Sequence, residues 1–435
     1  MMPRTLIVSI NEYRVGELRE QDGLWAFQYS EAWLAFGGRY PLSPHLPLQP
    51  EPLVDGATVR PVQWYFDNLL PEEGQRTLLA ADARLDTADA FGLLAYYGAE
   101  TAGSLALLPP GAPQEDTEDA LRPLSDKELS QRIRRLPRVA LTHGAVKRMS
   151  LAGAQHKLAV VIRDDVLYEP SGTLPSLQIL KPEHPDPDYP HCVVNEWFVM
   201  RLAAESGLIV PAVHRRYVPE PVYIVDRFDR ALREGKAIRL HAIDACQLLG
   251  LDRSFKYAQG SMENLARLAA ACRSPAVART RLFSWLVFNM LTGNGDAHLK
   301  NLSFLVSATG VQPAPHYDLV STSVYESRAF DKQDWPHATR LAWPILDAQR
   351  FSQIDRRLMI AAGGELGINR GTSERLLDTY RRRVVSAADS LCKAFEAEAT
   401  GADSRRALAA GRAGEARCVR AIVHTVIREM AGRLA

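Results

Sequence analysis

Thr292-Gly293-Asn294-Gly295-Asp296-Ala297-His298-Leu299-Lys300-Asn301 is the stretch on which the reading of this chain turns. Its glycines break the apolar helix expected over Ala278 to Leu291 and leave a loop in which an aspartate and an asparagine stand five positions apart. That pattern suits phosphoryl transfer. Asp296 would orient an attacking hydroxyl and accept its proton, and the amide oxygen of Asn301 would take a magnesium ion, a hard cation that prefers oxygen ligands. Lys300 would neutralise the moving phosphoryl group. The spacing alone is unspecific, because a chain of this length shows about one such pair by chance.

The surroundings add to it. The D-x-x-x-x-N spacing is that of kinase catalytic loops, and Asp318, in His316-Tyr317-Asp318-Leu319-Val320-Ser321, follows Asn301 by seventeen positions, after a short apolar stretch. Kinases carry a magnesium-binding aspartate there; a turn or helix-cap residue is the plainer reading of a lone aspartate. Upstream, Lys181 ends an expected strand and Glu196 lies on the next helix, as a phosphate-binding lysine and its carboxylate would, or as a surface ion pair would. Ser150 to Gln155 is a loop of small residues that can turn backbone N–H groups toward phosphates, or simply enter a hairpin. Asp226-Arg227-Phe228-Asp229 closes the last strand of the sheet-rich region, where an adenine-facing hinge or an ordinary strand end would sit.

At 435 residues, 46% hydrophobic and 24% charged, the chain can bury a sizeable core and should divide into two or three domains. Lysine plus arginine (52) nearly cancel aspartate plus glutamate (51), which excludes a global field aimed at nucleic acid, membrane or acidic substrates. The basic clusters Arg132 to Arg138, Arg381 to Arg383 and Arg405-Arg406 read first as solvated helix faces and second as local patches for DNA. Cys192, Cys246, Cys272, Cys392 and Cys418 are scattered without a C-x-x-C pair, so they read as buried thiols rather than a disulfide framework or zinc site. Met1 to Glu20 lacks the order of a signal peptide and no run of eighteen apolar residues occurs, so a cytoplasmic protein is expected.

The pattern predicts an α+β fold: a mixed α/β N-terminal part followed by a mainly helical C-terminal lobe. Residues 1–108 alternate short apolar runs with turns and add a helix near Glu73 to Asp82, and 109–124 read as a proline- and acid-rich linker. Residues 125–229 hold strands at Lys157 to Ile162, Leu177 to Leu180 and Val222 to Val225, with one inserted helix from Val193 to Glu205 stopping at Gly207. Over 230–435 strand signals thin out and helices follow at Met262 to Cys272, Ala278 to Leu291, Ser373 to Glu396 and Arg405 to Leu434.

Ser150-Leu151-Ala152-Gly153-Ala154-Gln155-His156-Lys157, Ile179-Leu180-Lys181, Asn195-Glu196, Asp226 to Arg230, Gly295 to Asn301 and Tyr317-Asp318, in this order, resemble the HipA family. The resemblance extends to the first domain through Gly16-Glu17-Leu18, Trp64 to Pro71, Phe91 to Leu94 and Gly103-Ser104-Leu105. It implies a two-lobed, protein-kinase-like fold and ATP–Mg2+-dependent transfer to serine or threonine in a protein, with aminoacyl-tRNA synthetases as the substrate class. The consequence would be growth arrest and persistence, relieved by a HipB-like helix-turn-helix antitoxin through which DNA is reached mainly indirectly. The implied nucleotide contacts are Ala152, Gly153, Ala154, Gln155, His156, Lys157, Lys181, Glu196, Asp226, Arg227, Phe228, His298, Leu299, Lys300, Asn301, Tyr317 and Asp318. Asn301 and Asp318 would hold magnesium, Asp296 and Lys300 would act in catalysis, and Ser150 would be the site of autophosphorylation, its added charge expelling the loop. A hydroxyl capping a turn is the other reading of Ser150.

Departures from the family pattern are Asp226, shorter than the usual glutamate, and His156 in place of an acidic or polar residue. Ala361 to Ile368 carries no lysine or arginine where some members present basic residues to DNA. A small-molecule phosphotransferase and a kinase-fold co-repressor scaffold are the competing readings, the first opposed by the N-terminal domain and the second by the full set Lys181, Asp296, Asn301 and Asp318.

Overall fold

The computed structural model describes residues 3–111, 119–145, 147–400 and 406–435, with side chains from 399 to 410 outside the description. Residues 112–118 of the linker expected over 109–124, Arg405, and the side chain of Arg406 therefore lie outside the described residues. The chain forms two compact units, one of Met1–Pro182, Arg216–Phe255 and Ser303–Ala314, the other of Glu183–Arg215, Lys256–Leu302 and Pro315–Ala435.

The first unit is built on antiparallel sheet. Arg4–Ile10 alternates so that Leu6, Val8 and Ile10 point inward, the period-two pattern of a half-buried strand. It pairs with Tyr13–Gln21 on one side and Leu105–Leu108 on the other, and Leu24–Tyr29 and Leu53–Val54 extend the sheet. In a second sheet Pro221–Asp226, Gln178–Pro182, Leu158–Arg163, Val166–Pro170 and Leu121–Pro123 lie side by side in that order. Leu158, Val160, Leu180, Val222 and Ile224 project from it into one apolar cluster with Leu129 of the helix Asp126–Ile133. Register places Lys181 opposite Tyr223 and Asp226 opposite Gln178. The helix expected near Glu73 runs from Glu73 to Ala83.

The second unit is mainly helical: Cys192–Ser206, Met262–Ala270, Pro275–Thr292, Arg370–Thr400 and Arg406–Ala421 fall where apolar periodicity places helices or extend them, and Arg356–Glu365 is a further helix that the sequence reading did not include. Pro275 opens its helix at a position where no N–H is needed. Gly293 ends it in the left-handed region at φ +64, where a Cβ would come within 2.6 Å of Val426 and 2.9 Å of Ser323. Only glycine lets the chain turn there into the loop that follows.

Strands do not disappear after residue 229. Arg230–Arg233 pairs with Lys236–Arg239, Ser303–Ser307 lies between Ala242–Asp244 and Gly310–Pro313, and Arg340–Ile345 pairs with Ala348–Arg350. These are three- to six-residue segments, too short for alternation to stand out. The cysteines are free and four are buried; Cys192 is half-buried at a helix start. Among the described residues no helix is long and apolar enough to cross a membrane.

Candidate active site

In the second unit a relay of neutral hydrogen bonds carries the rigidity of the helix Pro275–Thr292 into the loop. Asn289 donates through Nδ2 to the Trp285 carbonyl (2.8 Å) and accepts at Oδ1 from Asn294 Nδ2 (2.8 Å). Asn294 Oδ1 then accepts the Asp296 N–H at 3.0 Å, and the Gly295 N–H donates to Thr322 Oγ1 at 2.7 Å. The Asp296 carbonyl receives both the His298 N–H (2.8 Å) and Asn301 Nδ2 (2.9 Å). Because the NH2 end of the Asn301 amide is spent on Asp296, its oxygen is the end left to accept. Tyr317 Oη donates to the Lys300 carbonyl at 2.8 Å, tying the Asp318 segment to the turn Leu299–Asn301. Asp318 itself is half-buried with φ +51, a left-handed conformation uncommon outside glycine, asparagine and aspartate. Asp296, His298 to Asn301, Tyr317 and Asp318 are thus brought together.

His316, just ahead of this segment, is buried against Trp285, with ring centroids 6.4 Å apart. Burial, and then the Arg281 charge, push its imidazole down to about 3. It is a neutral packing group.

In the first unit, the loop from Ser150 is held against the N-terminal motif. Ser150 is fully buried; its Oγ donates to the Leu69 carbonyl (2.9 Å) and its N–H to the Glu100 carbonyl (2.8 Å). Pro71 and Gly153 form a parallel bridge, and the Glu72 N–H donates to the Gly153 carbonyl at 3.2 Å. Gly153 has φ +107, and a Cβ there would lie 2.5 Å from Lys157 Nζ, which donates to the Ala152 carbonyl at 2.6 Å. His156 and Lys181 are both buried, with Lys181 Nζ 5.5 Å from the Tyr223 ring centroid. Glu196 is buried in the second unit.

Asp226 accepts from Gln178 Nε2 at 3.0 Å, and beyond it the chain enters a cluster of buried charge. Glu100, wholly inaccessible, lies 3.0 Å from Lys147 Nζ, 3.2 Å from Arg227, 3.0 Å from Arg230 and 3.8 Å from Arg239. Asp229 pairs with Arg227 at 2.7 Å and Arg230 at 3.2 Å. Burial alone would raise the Glu100 carboxyl, but the four cations outweigh it and hold it well below the carboxylate range. Two of the cations fare less well: burial and mutual repulsion lower Lys147 and bring Arg230 down to about 10. Arg227, close to both carboxylates, is instead raised against its own burial, chiefly by Asp229.

Three features of this geometry lay outside the sequence reading: Asn294 as the brace of Asp296, Glu100 as the centre of the charge cluster, and Tyr257, whose hydroxyl donates to Asp296 Oδ1. Only Asn294 had a local signal, its place between the two glycines. Of the basic clusters, Arg132 is buried against Glu128 and Glu169 and Arg134 pairs with Glu220, so that helix face is spent on structure.

The model of the HipA N-terminal domain matches residues 6–108, and that of the HipA-like C-terminal domain residues 149–391. The serine/threonine-protein kinase toxin HipA of Shewanella oneidensis is 35% identical over 353 residues, covering 76% of this chain and 77% of its own. Y4mE of Sinorhizobium fredii is 34% identical over 394 residues, 86% of this chain and 87% of its own. The fold matches HipA in the solved complex of Shewanella oneidensis HipA, HipB and operator DNA with a TM-score of 0.77 at 29% identity, over 98% of this chain and 99% of the other. With both domain models matched in order around a loop built as described, the chain belongs to the HipA family.

Proposed function

We propose that this protein is a cytoplasmic ATP- and magnesium-dependent serine/threonine protein kinase, the toxin of a HipA–HipB type pair, acting on a translation component of the aminoacyl-tRNA synthetase class and on its own Ser150. One observation carries the reading: the Asn301 amide is anchored to the backbone of Asp296, so one loop holds a carboxylate for the acceptor hydroxyl and an amide oxygen for a cation. Magnesium fits these residues, since Asn301 Oδ1 and the Asp318 carboxylate are hard oxygen donors and the ion takes one or two such ligands beside substrate phosphates. Bound there, it would neutralise phosphate charge. Lys181 and the backbone of Ala152 to Lys157 would hold phosphate, and Asp226, Arg227 and Phe228 would offer adenine-facing backbone, all in the first unit. In the second unit His298, Leu299, Tyr317 and Glu196 are the residues proposed for nucleotide binding. Lys300 would stabilise the transferring group and Asp296 would receive the proton. Ser150 is buried in this state, so its modification requires the loop to leave Leu69. A HipB-like antitoxin would bind the chain and bring it to operator DNA.

The test is transfer from γ-labelled ATP–Mg2+ by purified, unphosphorylated protein, with and without bacterial lysate, in wild type, Asp296→Asn and Ser150→Ala. Label on Ser150 and on a lysate protein, lost in the Asp296 variant, is expected. ATP binding without transfer to any protein would point instead to a co-repressor scaffold or a small-molecule kinase.

A further inference from the structure

The backbone of Asp296 is fixed at both ends, its N–H by Asn294 and its carbonyl by His298 and Asn301. None of these bonds touches the carboxylate. Its terminal torsion is a broad, soft one, so something else must aim it. Among the described residues a single side chain hydrogen-bonds that carboxylate, the Tyr257 hydroxyl on Oδ1.

Tyr257 arrives on the segment after the turn Arg253–Phe255, and this segment is registered against the loop, because the Leu299 N–H donates to the Lys256 carbonyl at 3.1 Å. The ring stands edge-on to His298, with centroids 5.0 Å apart and planes at 83°. Yet the residue is 39% exposed. A tyrosine needed only for packing would bury its ring, whereas this one spends its hydroxyl on a half-exposed carboxylate.

We infer that Tyr257 is a positioning residue for phosphoryl transfer: it holds Oδ1 of Asp296 and leaves Oδ2 for the acceptor hydroxyl. The inference rests on the kinase reading above. In the step it serves, the acceptor oxygen bonds to the γ-phosphorus, the bond from that phosphorus to the bridging oxygen of ADP breaks, and the hydroxyl proton passes to Oδ2. A phenol suits the task because it fixes the carboxylate without adding the positive charge that would weaken it as a proton acceptor.

The experiment compares full-length wild type, Tyr257→Phe, Asp296→Asn and the double variant, reading initial rates of label transfer onto the chain itself and lysate protein, with nucleotide affinity measured separately by titration with ATP–Mg2+. Tyr257→Phe should lower the maximal rate about tenfold, the order expected for one lost hydrogen bond to a charged group, and leave the ATP KM and affinity within about twofold. In the Asp296→Asn background the same change should alter the residual rate by less than about twofold, since there is no longer a base to aim. A wild-type rate in Tyr257→Phe, a higher rate, or an equal loss in both backgrounds would overturn the inference. No transfer by wild type would overturn the kinase reading instead.

Discussion

The strand end Asp226 to Arg230 is held by charge, whereas the loop Gly293 to Asn301 is held by neutral amides and hydroxyls, most of them bonded to backbone. Around Glu100 six ionised side chains, each at most about a tenth exposed, meet in the first unit. Around Asp296 the braces are Asn289, Asn294, Asn301, Thr322 and Tyr257. The difference follows from what each segment would do under the proposed function. A strand end only has to stay where it is, and buried ion pairs fix geometry firmly, since losing one partner strands the other. Asp296, as the proposed base, would have to remain able to take a proton, and a fixed cation beside it would oppose that.

Breaking the second region should therefore cost activity and not stability. Asp296→Asn keeps the shape of the side chain and its backbone bonds but removes the proton acceptor. Transfer should fall about a thousandfold or more, within the range for loss of a general base, while the thermal midpoint stays within a few degrees. A midpoint falling in step with the rate would mean that the carboxylate holds the loop together.

Breaking the first region should do the reverse. Glu100→Gln leaves the four cations with Asp229 alone and should destabilise the fold by about 3 to 5 kcal/mol, read as a drop in denaturant midpoint. Adding Lys147→Met removes one stranded cation and should recover part of that loss. If Glu100→Gln were neutral, the cluster would be strain tolerated by the fold and not its fastening.

The two regions also differ in how far the sequence discloses them. The helix Pro275–Thr292, its glycine stop and the Asp296/Asn301 spacing are local features, encoded within thirty residues, and they were legible. So were the strand that follows Lys157 and the strands that carry Lys181 and Asp226, because their apolar runs are bounded by turns. The Glu100 cluster draws on residues 100, 147, 227, 229, 230 and 239, which no periodicity links. Tyr257 reaches Asp296 from 39 positions away. A lone glutamate or tyrosine in a loop has no pattern; its partners are chosen by the tertiary fold.

Acid should sharpen the comparison further, since each unit holds a buried imidazole, His241 in the first and His316 in the second, whose protonation burial strongly opposes. In the first, His241 Nε2 lies 2.9 Å from the Leu42 carbonyl, which can only accept, so that nitrogen carries the proton and Nδ1 accepts from Ser104 at 3.0 Å. Burial lowers His241 to about 4, and burial followed by Arg281 lowers His316 to about 3. Both fall below the unfolded value of about 6.5, so the unfolded chain takes up the proton first. Stability is full above that value and declines as pH falls toward the folded values, each group costing about 2 kcal/mol at pH 5. Denaturant midpoints at pH 7.5 and 5 should show it, and His316→Phe should remove the part due to that residue. An unchanged pH dependence in that variant would assign the acid sensitivity elsewhere.

The smallest effect expected is the most informative about magnesium. Tyr317 Oη on the Lys300 carbonyl is the bond that registers the Asp318 segment against the turn bearing Asn301. Tyr317→Phe removes one neutral hydrogen bond, about 1 kcal/mol, so the fold should hardly notice. If that bond sets the spacing of two oxygens that share a cation, the loss should appear as a roughly fivefold rise in the magnesium concentration for half-maximal transfer at fixed ATP, the same energy read as affinity. Asp318→Asn should raise it further, because it removes a ligand charge and not only its registration. A half-saturating concentration unmoved by Tyr317→Phe but raised by Asp318→Asn would show that Asp318 finds the ion without this brace, its left-handed backbone alone setting the aim. Unmoved by both, it would remove Asp318 from the metal site, leaving Asn301 as the loop's one oxygen for the cation.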